Sequence, residues 1–207
     1  MRFLASASAI FALATLASAQ LSAVPIVEAI APGSKSCADA AANKECRTAE
    51  QAASFIAEGM TRYSIYNVNE MAAVISLMAF ESVDFQFKTN QFPGRPGQGT
   101  ANMQMAEYNL KYAKSIEEVK DKVGDVTSVD GLDDDELDRI RSLVTVDDYN
   151  FASGPWFLTT QCEKSVREQL RADVDKGFAA YMGCVGVEVN EERTAYLDRA
   201  KKAFNIQ

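Results

Sequence analysis

A mainly α fold, one helical domain with a long Gly/Pro-rich loop and two disulfides, is what this sequence predicts. Apolar residues recur at spacings of three and four through most of the chain beyond residue 48, the period of a helix with one buried face. Helix-start signals stand immediately before several of these stripes. No stretch sustains the two-residue alternation of a half-buried strand, and no internal repeat is visible.

The first 19 residues read as a signal peptide. Arg2 gives a basic start, Phe3 to Leu16 is an Ala/Leu/Phe run, and Ala17-Ser18-Ala19 fits small-residue cleavage before Gln20. Residues 20–36 have no strong periodicity and are expected to form a loosely packed arm, with the helical domain spanning 37–207. Thr48 with Gln51 reads as a capping box before Ala52, Phe55, Ile56, Met60 and Tyr63. Asn67 with Glu70 caps a second helix over about 68–82, and residues 84–103 then read as loop, with two of the five prolines. A third helix is expected over about 104–119, with Met105, Tyr108, Tyr112 and Ile116 on one side. Asp133 with Glu136 opens a fourth, which turns Leu137, Ile140, Leu143 and Val144 inward. Ser153-Gly154-Pro155 starts a fifth, because proline is accepted in a first turn. Two shorter helices share 164–182 with a break near Asp173, and Asn190 caps the last, which buries Tyr196, Leu197 and Phe204.

Charge and cysteine usage narrow the function. The net charge of −8 becomes −9 once Arg2 is removed, which argues against nucleic acid and against anionic membrane surfaces as partners. No run beyond the leader reaches the roughly 18 apolar residues of a membrane span. A secreted, extracellular protein is expected, and a monomer. Cys37, Cys46, Cys162 and Cys184 form an even set suited to an oxidising compartment. Three pairings are possible; the local ones, Cys37–Cys46 and Cys162–Cys184, are favoured because each brackets one short segment. The chain has no histidine, which removes Ser-His-Asp and Cys-His nucleophile systems, HExxH zinc sites and histidine-ligated haem. No metal or cofactor is expected. The acidic run Asp125 to Glu136 fails as a calcium loop: with Gly131 at the sixth position, Val126 falls first and Leu137 at the bidentate position. It reads as a solvated loop that caps a helix.

Glu81 is the strongest chemical candidate. It ends an apolar helical run, and counting back three and four lands on Met78 and Leu77, so its side chain leans toward the buried stripe. A carboxyl group against apolar neighbours resists ionising, which suits a general acid near neutral pH. Asp84, one helical turn on, is the nearest partner carboxylate, and it could equally cap the helix end or sit in solvent. Gln98, Thr100, Asn102 and Gln104 in the following loop offer donors and acceptors, and Phe85, Phe87, Phe92 and Tyr108 offer flat surfaces for sugar rings. The bland readings are a solvent-tipped helix end for Glu81, core anchoring for Phe85 and Phe87, and an exposed turn for Arg95. Trp156, the only tryptophan, reads as helix packing stapled by Cys162.

These elements fall in an order that resembles the soluble lytic transglycosylases and goose-type lysozymes. That family carries a catalytic Glu followed by Ser at a helix end, then a Gly-Leu-Met-Gln-like element lining the sugar cleft. Glu81-Ser82 resembles the first and Ala101-Asn102-Met103-Gln104-Met105 the second. Ala179-Ala180-Tyr181-Met182-Gly183 is similar to its Ala-Tyr-Asn-x-Gly element, in which the Tyr sits near the acid. The sequence departs from the pattern where Ala101-Asn102 replaces Gly-Leu and Met182 replaces Asn, and its loop is longer. The resemblance implies a lysozyme-like fold and a secreted glycosidase acting on an amino-sugar polymer such as cell wall. It gives Glu81 the role of acid and places Ser82 and Tyr181 at the substrate with Gln98, Thr100, Asn102 and Gln104. Two other classes compete. One is a non-catalytic glycan-binding protein on the same scaffold. The other is a helical protein for small hydrophobic molecules, which should show an apolar cavity and no polar cleft beside Glu81.

Overall fold

The computed structural model describes residues 22–38 and 41–207. The leader at 1–19 lies outside the described residues. Among the described residues ten α-helices follow one another: α1 Ala23–Ile30, α2 Ala49–Arg62, α3 Val68–Glu81, α4 Ala106–Ser115, α5 Asp134–Val144, α6 Asp147–Asn150, α7 Ser153–Thr160, α8 Lys164–Ala172, α9 Val174–Val185 and α10 Glu191–Phe204. Among the described residues there is no strand, only the isolated bridges Thr89 to Gly99 and Gly99 to Gln104. The fold is mainly α, in one domain.

The caps form where the sequence places them. Thr48 and Gln51 exchange both bonds of a capping box at the head of α2. Asn67 accepts from the backbone N–H groups of Asn69 and Glu70 at the head of α3. Asp133 accepts from Glu136 N at 2.9 Å to open α5, so the acidic stretch does cap a helix. Asp173 is extended and caps α9 through the N–H groups of Asp175 and Lys176, which makes it the break between α8 and α9.

Helix α3 is the spine. Every residue from Ala72 to Ala79 is buried, because α1, α7, α8, α9 and α10 all pack against it. A helix apolar on all sides belongs at the centre. Its head is fixed by Glu70, which is 1 % exposed and ion-paired to Arg167 (2.6 Å) and Arg171 (3.0 Å) of α8. Two cores result. One joins α1, α2, α3, α8, α9 and α10; the other gathers Tyr112, Ile140, Trp156 and Phe157 from α4, α5 and α7. Trp156 lies 4.7 Å from the Tyr112 ring, a packing role. Cys37–Cys46 and Cys162–Cys184 are bonded as favoured, and the second staple touches both cores.

Three local expectations change. The stretch read as a loose arm holds α1, which buries Val27 and Ile30 against α2 and α10 and has its last carbonyl bound by Arg199 Nε at 2.8 Å. Its residues are apolar at almost every position, so no stripe shows in the sequence. The third helix stops at Ser115 and resumes as a 3-10 turn, Lys120–Val123. Glu117 and Glu118 would face the negative end of the helix dipole, and the Ser115 hydroxyl instead takes the Tyr112 carbonyl. The one-turn helix α6 was not expected.

Candidate functional site

The loop from Gln86 to Met105 is built by polar anchoring. Glu45 accepts from Lys88 N, Thr89 N and the Thr89 hydroxyl. Lys88 is ion-paired to Asp147, which also holds Arg47. Burial pulls the Lys88 ammonium below its usual range, partly offset by Asp147. Burial would raise the Asp147 carboxyl, but hydrogen bonds from Lys88 and Arg47 outweigh it and the group sits below the usual carboxylate range. The loop folds back through Thr100 N to Lys88 O (2.8 Å) and Gly99 N to Gln104 O (3.1 Å). Gly99 is required there, since a Cβ would stand 2.5 Å from Lys88 O.

Where the loop meets the seam between the two cores, a groove of about 250 Å³ opens. Leu77 and Glu81 of α3 form one wall; Gln98, Asn102, Met103 and Gln104 form another; Tyr108 and Phe157 give an aromatic side. Arg95 and Met105 stand at the loop side, and the turn Val185-Gly186-Val187 after α9 closes the end. Polar amides and aromatic faces share this lining.

Glu81 is about a fifth exposed and is not surrounded by apolar groups alone. Arg193 Nη2 donates to its Oε1 at 2.9 Å. Arg193 stands in the first turn of α10, where a cation opposes the helix dipole, and Glu81 offsets that cost. Its guanidinium lies over the Phe80 ring at 4.5 Å, and its Nε is buried with no partner. Tyr181 is fully buried below, its hydroxyl unpartnered; burial, then the Glu81 charge, push its phenol well above the usual range.

Of the residues nominated in the sequence for chemistry or sugar contact, the groove collects Glu81, Gln98, Asn102, Gln104 and Tyr108. Ser82 is buried behind it and serves the helix end, donating to Met78 O at 2.6 Å and accepting from Phe85 N at 3.0 Å. Thr100 is buried as well, its hydroxyl without a partner. Asp84 is not among the groove residues. Val83, Asp84 and Phe85 all take positive φ, a reversal that no propensity scale anticipates for these residue types. The turn aims Asp84 at the N-terminal segment, where Oδ2 accepts from Gly33 N at 2.7 Å. Burial and then the Asp84 carboxylate push the Tyr196 phenol up to about 12. Phe85 is core, 5.5 Å from Phe151, and Phe92 stands free in solvent. Sequence reasoning missed Arg193, 112 positions from Glu81; a cation in an otherwise acidic first turn was the available signal.

A second cavity, of about 260 Å³ and almost wholly apolar, lies between α1, α2 and α3, with Ile26, Ile56, Met60 and Phe204 in its wall. The molecule therefore has an apolar cavity as well as a polar groove beside Glu81. Among the described residues no group of three or more Cys, Asp or Glu side chains is placed to hold a metal ion, and no helix is long and apolar enough to cross a membrane.

Comparison with known proteins is sparse. No protein-family profile and no solved structure matches the chain. A bifunctional dioxygenase (DOX)-epoxy alcohol synthase (EAS) of Fusarium oxysporum (strain Fo5176) is 54 % identical over 157 residues, which is 75 % of this chain and 12 % of that protein. The similarity thus spans about an eighth of the relative's length.

Proposed function

We propose that the protein is a secreted glycan-cleaving enzyme, a muramidase or lytic transglycosylase-like protein that binds an amino-sugar polymer in this groove with Glu81 as general acid. One observation carries the reading. Five residues nominated from the sequence, spread from 81 to 108, line one groove of polar amides and aromatic faces. Glu81 is the only carboxylate in that lining. Cleavage with one carboxylate requires the substrate to supply the second group. Glu81 gives its proton to the leaving oxygen as the bond from that oxygen to the anomeric carbon breaks; either the N-acetyl oxygen closes on the carbon to give an oxazolinium that water opens, with Glu81 taking the water's proton, or the hydroxymethyl oxygen closes on it and returns its own proton to the Glu81 carboxylate. Arg193 reaches the acid from α10; Tyr181, placed at the substrate by the sequence resemblance, is fully buried and outside the groove lining. Two disulfides are consistent with export.

A second reading is favoured by the Glu81–Arg193 ion pair. The Arg193 guanidinium occupies Glu81 Oε1 at 2.9 Å, which holds the carboxylate as part of a polar wall, the arrangement of a binder, rather than leaving it free to meet a glycosidic oxygen. For cleavage, Arg193 must release Glu81 when the sugar enters.

Incubation with insoluble peptidoglycan and with chitin oligomers separates these readings. An enzyme releases soluble fragments, and Glu81→Gln lowers the rate by about 10²-fold or more, the usual worth of a positioned acid. A binder retains the polymer without releasing fragments. Release by wild type and Glu81→Gln alike would remove Glu81 from the chemistry.

A further inference from the structure

The first leg of the groove loop, residues 85–89, is gripped from outside by a strap that the Cys37–Cys46 bond closes. Asn43 Nδ2 donates to Gln86 O at 2.8 Å, and Arg47 N donates to Phe85 O at 3.0 Å. Glu45, between them, accepts from Lys88 N, Thr89 N and the Thr89 hydroxyl at 2.8, 3.1 and 2.7 Å. The Cys46 sulfur itself lies 3.3 Å from Gln86 Oε1.

The leg so held carries the rest of the loop. Lys88 O accepts from Thr100 N at 2.8 Å, and Asn90 N donates to Gln98 O at 3.2 Å, so the returning leg is zipped to the first. That returning leg bears Gln98 and runs into Asn102, Met103 and Gln104, the loop wall of the groove. Strap, first leg, returning leg and wall form one continuous run of bonds.

The strap itself is irregular. Residues 43–47 hold no helix, and α2 starts only at Ala49. Among the described residues neither Cys37 nor Cys46 packs into either hydrophobic core, whereas Cys162 and Cys184 touch both. Arg47 ties one end of the strap to Asp147, and the disulfide, closing a separation of nine residues, ties the other. An irregular segment with no core beneath it keeps one shape chiefly by covalent closure.

We propose that the Cys37–Cys46 bond is a redox-sensitive latch on the groove: the loop wall takes its shape when the bond forms and loosens when it is reduced. Formation takes two protons and two electrons from the thiols and passes them to a disulfide oxidant, which becomes a dithiol; reduction by a dithiol is the reverse. The latch acts on the groove whatever the groove holds, so it stands apart from the glycan reading. A chain in a reducing compartment therefore carries its two cores without a finished groove wall.

Hydrogen exchange read by mass spectrometry tests it on oxidised wild type, on the double variant Cys37→Ser, Cys46→Ser, and on Glu45→Ala with the bond intact. In the double variant the peptides covering 86–100 should exchange about tenfold faster than in wild type, while those covering α3 keep their protection. Glu45→Ala should accelerate the same peptides, because it removes the acceptor through which the strap holds them. Unchanged exchange at 86–100 in either protein overturns the latch. Equal acceleration in α3, or loss of the helical circular dichroism of the double variant, overturns it as well, since the bond then serves the fold as a whole.

Discussion

Arg193 governs what Glu81 can do. It reaches the carboxylate from another helix, rests on Phe80, and leaves its own Nε buried and unpaired. This contact was not legible in the sequence, because it joins positions far apart whose meeting depends on how α10 lies along α3. Asp84 shows a second limit. Spacing places it one turn beyond Glu81, yet three consecutive residues of positive φ send it to Gly33 and Tyr196. Tyr196 provides an alkaline signature. Its folded pKa, about 12, is raised above the ordinary phenol value. That contribution to stability is whole below pH 10 and is lost as pH rises toward 12. Thermal melts across pH 9–12 should show this loss in wild type and a shallower one in Tyr196→Phe.

The helices were legible wherever a cap met a stripe, as at Thr48, Asn67, Asp133, Asp173 and Asn190. They were hidden where the chain is apolar throughout, as in α1, or where two glutamates shorten α4. The junctions between elements are where stability concentrates. Glu70 joins α3 to α8 through two arginines, and Glu70→Gln should cost about 2–4 kcal/mol in urea unfolding, because a buried hydrogen-bonded charge is removed while both cations stay. Gly177 lets α9 cross α8, since a Cβ there would lie 2.3 Å from the Leu170 backbone. Gly177→Ala should therefore destabilise by about 1–3 kcal/mol, against the usual helix preference for alanine. The anchor of the groove loop is acid-sensitive. Asp147 sits below its ordinary pKa when folded, so the stability it lends is present above its unfolded value and is lost as pH falls through the folded one. Asp147→Asn should remove that acid dependence, and a protease-protection assay of the loop from about pH 5 down to about pH 2 would register it.

Two cores meet along a seam, and the groove opens on it, with Leu77 from one core and Tyr108 and Phe157 from the other. The Cys162–Cys184 bond spans a separation of 22 residues and ties the cores beside the Val185 end of the groove. Its reduction should cost roughly 3 kcal/mol and lower the melting temperature. The cysteine spacing disclosed this staple, whereas the seam needed the packing of all ten helices. The whole proposal turns on Glu81 acting on a sugar bound in that seam. Fragment release from an amino-sugar polymer, followed by mass spectrometry for wild type and Glu81→Gln side by side, decides the matter. We expect soluble oligosaccharides from wild type and about 10²-fold fewer from the variant; equal release from both, or none from either, contradicts the account.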